Sequence, residues 1–156
     1  MKNLRLILLV SFAIVLIASL GMAAAPGFKA KLTGKEVVPA VTTKATGEAD
    51  FKLSKDGKEL SYTLTLKNIE NVTAAHIHAG KKGDNGAPVA GLFAGPKKEG
   101  KFSGEVAKGT ITDKDLFGSL AGQTIGDLVK MIQEGGAYVN VHTDKYPDGE
   151  VRGQIK

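Results

Sequence analysis

Cysteine is absent from this chain, and with it go disulfide staples, thiolate metal ligands and cysteine nucleophiles. Tryptophan is absent too, and the few tyrosines and phenylalanines are never interleaved with a basic run, as single-strand nucleic-acid binders require. Neither G-x-S-x-G nor a Gly-rich loop ending in G-K-[ST] occurs, so serine-hydrolase and phosphate-cradling chemistry lack their local signatures. Arginine appears only at positions 5 and 152, and histidine only at 76, 78 and 142. The sequence also lacks internal repeats and low-complexity tracts.

The first 25 residues stand apart. Lys2 and Arg5 precede an apolar run from Leu6 to Leu20, and the small residues Ala23, Ala24 and Ala25 come just before Pro26. This is the layout of a signal peptide, with cleavage expected after Ala25. An uncleaved anchor is the competing reading, because Leu4 to Ala25 is long enough to reach across a bilayer. Cleavage leaves residues 26–156 as one domain with no membrane span, in a secreted, periplasmic or cell-surface location. Without Lys2 and Arg5, the excess of basic over acidic residues falls from five to three. That mild surplus, scattered in pairs such as Lys81-Lys82 and Lys97-Lys98 beside Gly and Pro, points to solvated loops and to no nucleic-acid partner.

From Phe28 onward the chain is patterned for strands. "ADFKL" and "LSYTLTL" alternate apolar and polar residues, with Asp56-Gly57 between them as a hairpin turn signal. The glycine- and proline-rich stretch 81–100 reads as loop, with a short strand at 89–93, and it is long enough to lie over the histidines. "FSGEVAKGTI" reads as a strand, and Thr112 or Asp113 caps a short turn after it. Ile125, Leu128, Val129 and Ile132 recur at helical spacing between Thr124 and Gly135-Gly136, which predicts one short helix near 124–134. "AYVNVHT" and "EVRGQI" form a terminal hairpin around Pro-Asp-Gly, each strand with one apolar and one polar face. The expected fold is mostly β: a small antiparallel Greek-key or immunoglobulin-like sandwich or barrel with that single helix.

The chemistry concentrates in "AHIHAG". In a strand, His76 and His78 project from the same side with Cα atoms about 6.6 Å apart. His142 lies on the polar face of another strand, and Asp144 comes two residues later. Three imidazoles, with a carboxylate or water in fourth place, suit copper(II) first and zinc second, whereas calcium and magnesium prefer oxygen ligands. The plainer alternative is a polar rim in which the histidines bond to backbone or water.

Arg152 offers a bidentate fork in a chain otherwise served by lysine. Its two readings are a salt bridge to Glu150, Asp144 or Asp148, and guidance of an anion toward a metal. Tyr138 and Asn140 share the face of His142 and are placed to supply hydrogen bonds that set an imidazole tautomer. Asp84 and Asn85 read as turn residues, with Asp84 a remote candidate for reaching the histidines. Asn71 opens a glycosylation triplet, which matters only in a host that glycosylates.

Taken together, "GKEVVPAVTTKATGEADFKL", "LSYTLTLKNIENVTAAHIHAG", "GDNGAPVAGLF", "GGAYVNVHT" and "YPDGEVRGQI" resemble the chordin-type (CHRD) domain family over nearly the whole of residues 28–155. The order of five separate segments makes the resemblance specific. One departure is Val38-Pro39, where the family commonly has two adjacent prolines. The resemblance implies an extracellular, mostly β domain, immunoglobulin-like or barrel-like, and leaves its biochemical role open. A local similarity, confined to the H-x-H strand, the distant histidine and the lone arginine, is to the copper half of copper-zinc superoxide dismutases. The zinc cluster, the bridging histidine and the disulfide have no counterpart here.

Three functions are open to test: a copper-binding module built on His76, His78 and His142, an enzyme dismutating superoxide at the same site with Arg152 attracting the anion, and a metal-free interaction or envelope domain.

Overall fold

A computed structural model describes residues 26–156, so the expected signal segment, 1–25, lies outside the described residues. Seven strands alternate with short turns and one helix: β1 (Gly27–Thr33), β2 (Thr46–Leu53), β3 (Leu60–Ala79), β4 (Pro88–Phe93), β5 (Lys98–Ile111), α1 (Ile125–Gln133), β6 (Ala137–Thr143) and β7 (Val151–Gln154). Antiparallel pairings join β1 to β2, β2 to β3, β3 to β6, β6 to β7 and β7 back to β1, which closes a five-stranded barrel. The last closure is reinforced where Lys29 and Lys156 exchange backbone hydrogen bonds of 2.8 and 2.9 Å. β4 and β5 add to β3 outside that ring. Of the sandwich and barrel alternatives, the chain forms the barrel. No helix among the described residues is long and apolar enough to cross a membrane.

Alternation fills the barrel as the sequence predicts. Phe28, Ala30 and Leu32 of β1, Leu64 and Leu66 of β3, and Ala137, Val139 and Val141 of β6 all turn inward. The helix adds Ile125, Leu128, Val129 and Ile132 to the same core. It begins at Thr124 with a reciprocal capping box, the hydroxyl accepting from the Asp127 backbone and the Asp127 carboxylate accepting from the Thr124 backbone. It ends on Gly135 at φ 71°, with Gly135 N–H on the Ile132 carbonyl and Gly136 N–H on that of Met131, a Schellman stop. A second capping box, Thr112 with Asp115, shapes the expected short turn after β5.

The feature that positions the site is β3. Separate strands are expected at "LSYTLTL" and "AHIHAG", but they form one strand of 20 residues. Its first part pairs with β2 and β5, and its last part with β4 and β6. Asn68 and Asn71 hold left-handed backbone (φ 54° and 52°), and pairing irregularities run from Leu66 to Ala74. Inward residues are even-numbered before this stretch (Leu60, Leu64, Leu66) and odd-numbered after it (Ala75, Ile77). A flat strand would carry the even parity onward and send His76 and His78 into the core; the bulged stretch turns them outward.

Candidate metal centre

His76 and His78 leave β3 on the outer face, and β6, hydrogen-bonded alongside, brings His142 to them: His76 pairs with Asn140 and Ala74 with His142. The three rings are mutual neighbours. Their centroids are 5.8 Å apart for His76 and His78, 5.3 Å for His76 and His142, and 5.8 Å for His78 and His142. One ligand nitrogen from each lies within 4.8 Å of the other two. A modest inward movement, about an ångström, would bring all three to metal–nitrogen bonds of about 2.0 Å.

Two of the rings are oriented by backbone carbonyls. His78 Nδ1 is 2.8 Å from the Gly86 carbonyl, and His142 Nδ1 is 2.8 Å from that of Pro147. A carbonyl only accepts, so each Nδ1 carries the proton and each Nε2 presents a lone pair. The loop expected to lie over the histidines does so at Gly86. There a Cβ would fall 1.5 Å from the Ala79 carbonyl oxygen, so only glycine lets the loop come this close. Burial first, and then the neighbouring His142 and His78, lowers the His76 pKa to about 4. Burial also lowers that of His78, helped by His142 and Arg152 and opposed by its bond to Gly86. Both rings are therefore neutral at pH 7, as metal ligation requires.

Among the described residues, four buried side-chain atoms have no hydrogen-bond partner: His76 Nδ1, His78 Nε2, His142 Nε2 and Asn140 Oδ1. They occupy adjacent positions on two paired strands; His78 Nε2 and His142 Nε2 are acceptors in the tautomers just described, Asn140 Oδ1 accepts by its nature, and His76 Nδ1 joins them when its ring carries the proton on Nε2. Asn140 is fixed in this orientation because its Nδ2 donates to the Asp148 carbonyl at 2.9 Å. Orphaned buried polar atoms are costly and uncommon. A cluster composed only of acceptors suits a cation, so the donor set fits a transition-metal ion and does not fit an anion.

The other expected participants are elsewhere. Asp144 is not brought to the histidines; its carboxylate takes a 2.9 Å ion pair from Lys97, and its N–H bonds to the Asn71 carbonyl. Asp84 serves the turn, its N–H donating to the Lys81 carbonyl, and it is outside the cluster.

Arg152 forms none of the salt bridges expected with Glu150, Asp144 or Asp148. It is only 2 % exposed, with Nη1 donating to Asn85 Oδ1 at 3.3 Å and Nη2 to the Lys81 carbonyl at 3.0 Å. Its guanidinium carbon lies 3.5 Å from the centre of the Tyr138 ring. Enclosed in this way, the fork is not displayed to solvent for an incoming anion; it ties down the 80–87 loop. Glu150 is instead held by the hydroxyls of Thr43 and Thr143, at 2.7 and 2.8 Å.

Tyr138 stacks on His78 with ring centroids 5.1 Å apart, and its hydroxyl accepts from Gly86 N–H at 3.0 Å. It thus helps to orient His78, while the supports of His142 are Pro147 and the loop that Asn140 anchors. Three participants escape sequence reasoning: the backbone carbonyls of Gly86 and Pro147, which no side chain announces, and Asn85, whose Nδ2 donates to the Val38 carbonyl and whose Oδ1 accepts from Arg152.

No curated protein and no solved structure matches this chain. The profile of the CHRD domain matches residues 28–155, which spans the barrel from β1 to the last core residue, Ile155, and includes all three histidines. By that match, over almost all of the described domain, the chain belongs to the CHRD domain family.

Proposed function

We propose that this CHRD domain binds one transition-metal ion, copper before zinc, through His76 Nδ1, His78 Nε2 and His142 Nε2. The observation that carries the reading is the convergence of three orphaned, buried imidazole nitrogens on one spot, two of them held in the ligating tautomer by backbone carbonyls. Neutral imidazole serves both metals, and the rising affinity of divalent ions toward copper favours that ion at a site with no carboxylate in the cluster. Three protein ligands leave a position free for water or an outside ligand, so the site is an open one.

Titration of the domain with copper(II) should give one-to-one binding, with nitrogen hyperfine structure from three imidazoles in electron paramagnetic resonance. Zinc should compete more weakly. Equal copper binding by a variant with all three histidines replaced by alanine would move the ion to adventitious surface groups and end the proposal.

Export completes the reading: the domain works outside the cytoplasm after cleavage behind Ala25. Intact-mass measurement of the protein recovered from its natural host would give a chain starting at Pro26, whereas a retained 1–25 segment would favour the anchor. A binding role is preferred to superoxide dismutation because Arg152, the residue that reading needs as an anion guide, is enclosed.

A further inference from the structure

Arg152 is singled out by the sequence, and metal binding leaves its burial unexplained. It is almost fully buried, yet no carboxylate pairs with it among the described residues. Its partners are an amide oxygen, a backbone carbonyl and the face of Tyr138, all of them uncharged. Dipoles and a ring quadrupole stabilise a cation but leave its net charge in place. That charge is next to the metal ligands. β6 lies between β7 and β3, so Tyr138 stands between Arg152 and His78, 3.5 Å from the guanidinium carbon and 5.1 Å from the imidazole centre. The sum of these two separations is the farthest the guanidinium carbon can be from the His78 ring. The three imidazoles bring no negative charge to offset it, and Asp144, the carboxylate closest in sequence to the ligands, is paired with Lys97.

We propose that Arg152 is a specificity-determining residue that biases the tri-histidine site toward the ion of lower charge, copper(I) over copper(II). The inference rests on the metal-binding reading above. A fixed positive charge repels a divalent ion twice as strongly as a monovalent one at the same point. At a separation of about 10 Å and an effective dielectric of about 20, the difference amounts to about tenfold in relative affinity. Three imidazoles satisfy copper(I) without a fourth ligand, so no loss of coordination opposes the bias. Arg152 touches no ligand nitrogen and acts through space, with Tyr138 setting the separation.

The test measures the midpoint potential of the bound copper couple with redox mediators, together with separate affinities for copper(I) and copper(II) by competition with chromophoric chelators of each ion. Arg152→Gln removes the charge and should shift the affinity ratio toward copper(II) by about tenfold, which is about 59 mV downward for one electron. Arg152→Lys keeps the charge without the fork and should retain most of the wild-type potential. Asn85→Asp, at an exposed loop position, places a carboxylate against the guanidinium and should move the potential in the same direction as Arg152→Gln, by a few-fold in affinity ratio, without disturbing the buried arginine. If Arg152→Gln fails to fold, Asn85→Asp decides the matter alone. A potential unmoved by Asn85→Asp while copper remains bound one-to-one overturns this inference and leaves metal binding intact. Absence of copper at the histidines in the wild type overturns both.

Discussion

On β6, Ala137, Val139 and Val141 point into the barrel while Tyr138 and Asn140 point out of it, yet all five are buried. Inside, burial is met by apolar contact from β1, β3 and α1. Outside, two loops provide it: 80–87, held by Arg152 and Tyr138, and 144–149, held by Asn140 and His142. Of the inward side chains on β6, Ala137, Val139 and Val141 are apolar and Thr143 gives its hydroxyl to Glu150, so none leaves a hydrogen bond unmade, whereas the outer face of β6 and β3 holds all four orphaned acceptors found among the described residues. Burial by itself therefore does not separate a core from a site; unmet polar demand does. The inner face contributes stability, and the outer face forgoes some of it to keep lone pairs available.

The sharpest way to break this contrast is with three consecutive residues, His76, Ile77 and His78, because parity alone assigns them to opposite faces. The largest effect is expected on metal affinity: His78→Ala should lower it by at least about 100-fold, exceeding the usual range for residues that merely support a ligand. Isothermal calorimetry reads this directly, and a loss of less than about tenfold would remove His78 from the ligand set.

On stability the order reverses. Ile77→Ala should cost about 2 to 5 kcal/mol in chemical denaturation of the metal-free protein, since the side chain is fully buried in the barrel. His76→Ala should be close to neutral in the same assay, because its Nδ1 has no partner to lose.

Next in size is the loop that orients His78. Gly86→Ala puts a methyl group against the Ala79 carbonyl and forces the loop outward, so metal affinity should fall by about 10- to 100-fold while the far-ultraviolet circular dichroism stays barrel-like. Wild-type affinity in this variant would show that the Gly86 carbonyl does not set the tautomer.

Acid should expose the same contrast in the metal-free protein. The His76 pKa falls from its ordinary value near 6.5 to about 4 on folding, mainly through burial. Between those values the unfolded chain takes up a proton that the folded chain refuses, so this ring destabilises the fold progressively as pH drops from about 6.5 to about 4, and contributes nothing above that window. His78, also lowered, adds in the same direction. Denaturation midpoints measured across the window should fall less steeply in His76→Ala than in the wild type.

The smallest effect concerns the bulges that set parity. Asn68→Gly, at φ 54°, should change stability by less than about 1 kcal/mol in either direction, whereas Asn68→Val should destabilise, because a β-branched residue is a genuine outlier there. The more informative readout is metal binding by Asn68→Val: its loss together with retention of the β spectrum would show that the bulge aims the histidines.

Much of this protein is legible in one dimension. Alternation marks the strands, Thr124 and Gly135-Gly136 bound the helix, and the spacing of His76 and His78 places them on one face, because these are properties of residues close together in the chain. The shared chemistry of the only three histidines also points to a single site. The terminal hairpin is two-faced in the sequence and in the fold. The burial of its polar face is not legible in the sequence, because Tyr138, Asn140 and Arg152 are covered by loops whose course no local pattern specifies.

The same limit explains which features the tertiary structure alone decided. The long β3 and its parity change depend on irregular pairing with β5 and β6, so whether an even-numbered histidine faces in or out cannot be read from alternation across residues 66–74. The tautomers depend on backbone carbonyls, which have no signature in the sequence. Arg152 found no carboxylate although Glu150 and Asp148 are near it in the chain, because residue 152 faces outward toward Tyr138 and the 80–87 loop while Glu150 is held by Thr43 and Thr143. The sequence determined which groups exist and which neighbours share a face; only the closure of the barrel decided which distant groups meet, since that is set by strand pairing between residues far apart in the chain.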